Sequence, residues 1–176
     1  MSSLKELTAD VHRQAERTEF ARKLIKGLPP AEYYTYLYNQ YFIYMALETR
    51  AQKLLPEIKE IFRTDKIYND LRELELKYKI IPTENTLCSV VREYEKHLQT
   101  LDTKQILAHI YVRHFGDMYG GQIIKKNNPG SSTMYEFDNL EELKIKIRAM
   151  LSDDIAEEAR KCFEFAIKLF VQLESK

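Results

Sequence analysis

Residues that break regular structure are scarce in this chain of 176 residues, and that scarcity constrains its fold most: it has 5 glycines and 5 prolines. Few turn-forming residues mean few elements, and long ones. Between these punctuation points the apolar residues recur at helical spacing. Ser3-Leu4-Lys5-Glu6 reads as a capping box, and Leu4, Leu7, Val11 and Ala15 follow as one stripe. That helix is expected to stop near Gly27, ahead of Pro29 and Pro30. A second helix is expected over 31–55, with Tyr34, Leu37, Tyr41, Tyr44, Met45 and Glu48 on one face. Shorter helices over 57–62, 65–79 and 85–100 follow. Asp102-Thr103-Lys104-Gln105 opens another that reaches about Lys126. The segment 127–133 is a polar loop with Pro-Gly at its centre, and helices over 140–151 and 154–174 close the chain. No segment alternates as a strand does. The sequence predicts an all-α fold: a single domain over 1–176, an irregular bundle of about seven or eight helices.

Composition narrows the function classes. Lys+Arg and Asp+Glu both number 27, so the chain lacks the basic excess of a general nucleic-acid binder. Hydrophobic residues at 44% and charged residues at 31% fit a folded domain. Cys88 and Cys162 do not demand a disulfide, and a reducing compartment is expected. The first ten residues carry no apolar signal core. The longest uncharged run, 33–47, is too short to span a bilayer, and the chain ends in Leu-Glu-Ser-Lys with no anchor. The expectation is a soluble cytoplasmic protein without a membrane anchor.

Three of the five glycines, Gly116, Gly120 and Gly121, fall within six residues of an expected helix. Each costs about 1 kcal/mol relative to alanine there. Two readings fit: a helix crossing that needs a thin backbone, or a flat ligand lying against it. Asp117 sits among them, as a solvated carboxylate or as a hydrogen-bonded site residue. His12 flanks the first apolar stripe, with Glu16 one turn on and Lys5 two turns back. A carboxylate-oriented histidine is a common ligand arrangement, although a boundary histidine beside a surface glutamate has the same spacing. Glu93 and His97 are i,i+4, but a di-iron site needs repeated Glu-x-x-His pairs, and no second copy exists. Neither His97, His109 nor His114 is a strong ligand candidate on spacing. Lys144 and Arg148, one turn apart, either hold an anion or form a solvated face. Phe163, Phe165, Leu169 and Phe170 read as core.

Several of these motifs occur together. They are Leu4-Lys5-Glu6, Val11-His12-x-Gln14-Ala15-Glu16 with Glu19-Phe20, Ile43-Tyr44-x-Ala46-Leu47-Glu48, and Tyr111-x-Arg113-x-x-Gly116-Asp117-x-x-Gly120-Gly121-Gln122 followed by Lys125-Lys126. With them the chain resembles the heme oxygenase family over nearly its whole length. The resemblance implies heme b, both cofactor and substrate, sandwiched between a proximal helix and a kinked distal helix. His12 would be the iron ligand, oriented by Glu16. Gly116, Gly120 and Gly121 would keep the distal backbone bare above the heme. Asp117 would organise waters that relay protons, supported by Tyr44, Arg113 and Glu48. Lys5, Tyr111, Lys144 and Arg148 would meet the propionates, and Phe163 and Phe170 would line the pocket. The implied reaction uses O2 and electrons from a ferredoxin or an NADPH-dependent reductase. It opens the ring at the α-meso carbon to biliverdin, carbon monoxide and ferrous iron, with a bilin reductase as a further implied partner.

The chain departs from the family pattern in places. Tyr119 stands where a small residue is usual, so its phenol either crowds the pocket or turns away to hydrogen-bond. Ala9 replaces a basic residue and Ala166 a polar one. Two alternatives follow: heme binding without turnover, for storage or sensing, and a different chemistry on the same helical architecture. The latter needs a cysteine nucleophile in a pocket or a carboxylate cluster, and no such context is visible around Cys88 or Cys162.

Overall fold

The computed structural model describes residues 2–176, with side chains from Leu4 onward. Among the described residues there is no strand. The helices are α1 (Ser2–Glu16), α2 (Glu19–Lys26), α3 (Pro30–Leu54), α4 (Thr64–Tyr78), α5 (Ser89–Leu98), α6 (Thr103–Ile110), α7 (Gly116–Asn127), α8 (Leu140–Arg148) and α9 (Ala156–Glu174). A wider, π-wound turn over Tyr111–Phe115 joins α6 to α7, so these two form one interrupted rod. Short 3-10 turns lie at Pro56–Ile61, Thr133–Tyr135 and Asp153–Ile155. No helix of the described residues is long and apolar enough to cross a membrane.

The first helix ends earlier than the spacing predicts. Thr18 interrupts it: its hydroxyl donates to the Ala15 carbonyl at 2.9 Å and accepts from the Ala21 amide at 3.2 Å. A threonine that satisfies both flanking backbone groups starts a new helix instead of continuing the old one. Gly27, at φ +116°, then ends α2 as expected. The stripe on α1 also shifts. Leu4, Val11 and Ala15 are buried, but Leu7 is exposed and Thr8 is buried in its place, its hydroxyl donating to the Leu4 carbonyl at 3.0 Å. The Ser3–Glu6 capping box depends on the Ser3 side chain, which lies outside the described residues. The capping box at Asp102 is present, with Gln105 N–H to Asp102 at 2.9 Å and Asp102 N–H to Gln105 at 3.0 Å.

α3 is the central element. It packs on α4, α5 and α6 and buries residues on several sides, from Tyr33 to Ala51. Glu48 on this helix is 4% exposed and has four partners. It accepts from the Arg63 amide at 2.6 Å, the Thr64 amide at 2.9 Å, the Thr64 hydroxyl at 2.5 Å and His114 Nε2 at 2.7 Å. One carboxylate thus caps α4 and anchors the π-wound turn, and these bonds hold it below the usual carboxylate range although burial opposes ionisation. α9 runs along α1, α2, α5 and α6. Cys88 and Cys162 are both buried free thiols.

Candidate functional site

A cleft of about 220 Å³ opens between α1, α2 and α9 on one side and α3, the π-wound turn and α7 on the other. Its first wall is apolar, built from Ala15, Leu24, Phe163, Leu169 and Phe170, with His12 and Glu16 set into it. His12 is exposed; its ring stacks on Phe163 at 5.0 Å, and its Nε2 lies 3.6 Å from Glu16 Oε1. Among the described residues it is the one histidine of four that lines the cleft.

The opposite wall carries Tyr44, Arg113, Gly116 and Asp117. A helix interior normally buries its backbone under side chains, but here nothing stands within 4 Å of where a Cβ would sit on Gly116 or Gly120. The bare backbone faces open space. Asp117 accepts a short hydrogen bond from the Tyr44 hydroxyl. Burial raises its carboxyl to about 7 even though the Tyr44 bond and the charges of Arg113 and Arg63 pull the other way. A carboxyl poised there can hold or release a proton near neutrality. The Arg113 guanidinium is buried; its Nε donates to Tyr94 at 3.0 Å, so its charge reaches Asp117 from behind.

The glycines serve two purposes that spacing could not separate. Gly121 turns away from the cleft. A Cβ there would overlap the ring of Tyr135, with Cγ at 2.9 Å, so this position serves close packing and not ligand contact. The winding irregularity also falls before the glycines, at Tyr111–Phe115, while Gly116 itself is regularly helical. Such π-wound turns gather at functional sites.

Other expected site residues lie outside the cleft lining. Lys5 is exposed on α1, two turns before His12. Tyr111 is half-buried against Phe115, whose ring centroid is 6.0 Å away. Lys144 and Arg148 are neither a purely solvated face nor free cations. The Lys144 ammonium sits 4.2 Å over the ring of Tyr119, and Arg148 donates to the Tyr119 hydroxyl. Tyr119 therefore turns away from the cleft and stacks on Phe115 at 5.0 Å. Phe170 lines the cleft and stacks on Phe20 at 5.6 Å. His97, one turn from Glu93 in sequence, pairs instead with Glu158 on α9, at 2.5 Å.

Known proteins resemble this chain along nearly its whole length. Residues 1–172 match the family described as heme oxygenase. The heme oxygenase of Pyropia yezoensis is 28% identical over 208 residues, spanning 99% of this chain and 85% of that one. Heme oxygenase 2 of Rattus norvegicus is 26% identical, spanning 97% of this chain and 64% of its own length. Among solved structures, heme oxygenase-1 of the cyanobacterium Synechocystis in complex with heme superposes with a TM-score of 0.82 at 26% identity. That match covers 99% of this chain and 91% of the other. Heme oxygenase from Leptospira interrogans shares the fold, with a TM-score of 0.81 at 24% identity over 97% of this chain and 98% of that one.

Proposed function

This chain belongs to the heme oxygenase family, and we propose that its cleft binds heme and opens it at the α-meso carbon, with electrons from a separate ferredoxin or NADPH-dependent reductase. The observation that carries this reading is the pairing of two unlike walls: an apolar one bearing a single imidazole, and a bare glycine backbone bearing a carboxyl at about pKa 7. A flat apolar macrocycle fits between them. The open space over Gly116 and Gly120 admits it, Leu24, Phe163, Leu169 and Phe170 cover it, and Gln40 Oε1 is a buried acceptor without a partner in the lining.

When bound, heme supplies the iron that activates O2 and the ring that is cleaved to biliverdin, carbon monoxide and ferrous iron. The protein's own residues do the rest. His12 would hold the iron through Nε2, which faces Glu16 Oε1 across 3.6 Å in the heme-free cleft; Glu16 would keep that edge of the ring towards the cleft and release it as heme enters. As a neutral imidazole, His12 would push less electron density onto the iron than a thiolate does. Asp117 holds or passes a proton through ordered water, and Tyr44, its own hydroxyl kept protonated by burial and by the Asp117 charge, fixes the carboxylate's orientation. Arg113 supports the ionised form. Tyr119, held outside by Lys144 and Arg148, leaves the cleft clear, which supports turnover over storage. The same contacts draw both cations towards a phenol, so Lys5, Tyr111, Lys144 and Arg148 form a propionate rim only if ligand entry loosens the Tyr119 contact.

Hemin added to the pure protein should give the absorption of a histidine-ligated heme. Reductant in air should then convert it to a bilin. Stable heme binding with no bilin from any electron donor would sink this reading in favour of storage or sensing.

A further inference from the structure

A second cluster lies on the far side of Arg113, outside the cleft. His97 on α5, His109 on α6 and Glu158 on α9 converge, and one ligand atom from each lies within 4.8 Å of the others. Both imidazoles aim Nε2 at the same carboxylate oxygen, His97 at 2.5 Å and His109 at 2.8 Å. We propose that His97, His109 and Glu158 form a binding site for a divalent first-row transition ion, separate from the heme cleft.

The chemistry of the set selects the ion. Two imidazole nitrogens and one carboxylate oxygen suit zinc, ferrous, cobalt or nickel ions and not magnesium or calcium, which prefer all-oxygen sets. Three protein ligands leave a position for water. The far edge of the His109 ring is already held: its Nδ1 lies 2.6 Å from the Tyr94 hydroxyl, which also accepts from Arg113 Nε at 3.0 Å. With the ion bound, His109 carries its proton on Nδ1 and donates to Tyr94, and the Tyr94 hydroxyl turns to Cys162 Sγ at 3.9 Å. His109, Tyr94 and Arg113 then each keep a hydrogen-bond partner, the kind of arrangement that fixes a ligating imidazole. A neutral imidazole that meets the ion through Nε2 moves its proton to Nδ1, and an imidazolium gives one proton to solvent; either way two neutral imidazoles, one carboxylate and a divalent ion leave the filled site with one net positive charge.

Access comes from one side. His109 and Glu158 are 0% and 6% exposed at the side chain, but His97 is 24% exposed and forms the entrance. Lys161, 3.9 Å from Glu158 Oε1 and half-exposed, can swing into solvent as the ion enters. Ambient zinc and the ferrous iron that the proposed reaction releases are the two sources of such an ion, and separate titrations compare them.

The test is an anaerobic titration of the full heme-free chain with Co2+, followed by its visible ligand-field absorption, with parallel calorimetry of Zn2+ and Fe2+. One ion per chain is expected. His97→Gln, at the exposed entrance, and Glu158→Gln, which keeps the side-chain shape, should each weaken binding at least tenfold. His12→Gln should leave it unchanged. Binding that saturates only at millimolar Co2+, survives His97→Gln in a chain with native circular dichroism, or disappears in His12→Gln overturns the proposal. Zn2+ binding tighter than Fe2+ is the ordinary order for such a ligand set and leaves either source open, whereas Fe2+ binding at least as tight as Zn2+ assigns the site to released iron. No readout involves heme turnover, so this proposal and the proposed reaction fail independently.

Discussion

The two walls of the cleft are built on opposite principles. The histidine wall is loosely tied: His12 and Glu16 have side chains 55% and 61% exposed and meet across 3.6 Å. The glycine wall is preset: Tyr44 is buried, Asp117 is bonded to it, and Arg113 is pinned by Tyr94. The contrast teaches where each wall draws its geometry. A ligand atom that gains a strong bond on binding needs little scaffolding beforehand. A proton-handling carboxyl has no such bond to orient it, so it must be held by neighbours already in place.

This contrast can be broken from either side. The largest effect belongs to His12→Ala, which should abolish the histidine-type absorption of the hemin complex and all bilin formation while leaving thermal stability almost unchanged. Second is a pair of adjacent positions. Gly121→Ala drives a methyl into Tyr135 and should destabilise the chain by about 1–3 kcal/mol. Gly120→Ala meets open space and should stabilise the heme-free chain by up to about 1 kcal/mol, while weakening heme binding. Denaturant midpoints and a hemin titration of both variants check this; equal behaviour would remove the distinction between the two glycines.

Third, Asp117 binds its proton more tightly folded, at about 7, than unfolded, near the ordinary aspartate value of 3.8. Its contribution to stability is therefore full below about pH 4 and is lost as pH rises to about 7. The heme-free chain should lose about 2 kcal/mol over that window from this half-buried group. Asp117→Asn should flatten the curve, unfolding later than the parent at pH 8 but not at pH 4; parallel melting curves at the two pH values decide it. The smallest effect is that of Glu16→Gln. The exposed Glu16–His12 contact is worth roughly 0.3–0.5 kcal/mol, so hemin affinity should change by no more than about twofold in a spectroscopic titration.

Much of the fold was legible because its signals are local. The Asp102–Gln105 capping box, the stop at Gly27 and the run of α3 to Leu54 all depend on residues within a turn or two of one another. The break at Thr18 is also local, yet it competes with a continuous apolar stripe, and the side-chain bonds to Ala15 and Ala21 decide the outcome. The site divides in the same way. His12 with Glu16, and Gly116 with Asp117 and Gly120, share helix faces that spacing alone defines. Tyr119 did not, since its direction depends on Lys144 and Arg148 arriving from another helix. Glu158 stands 61 positions from His97 and 49 from His109, beyond any periodicity.

By itself, the sequence determined a helical chain and a residue set that resembles one family, because helix periodicity and motif spacing are carried by neighbours along the chain. Only the tertiary structure decided that Gly116 lines the cleft, that Gly120 stands open and that Gly121 faces Tyr135. The same holds for the carboxyl that titrates near neutrality and for the histidines that share a glutamate. Those properties depend on burial and on partners from distant helices, and both exist only once the bundle has closed.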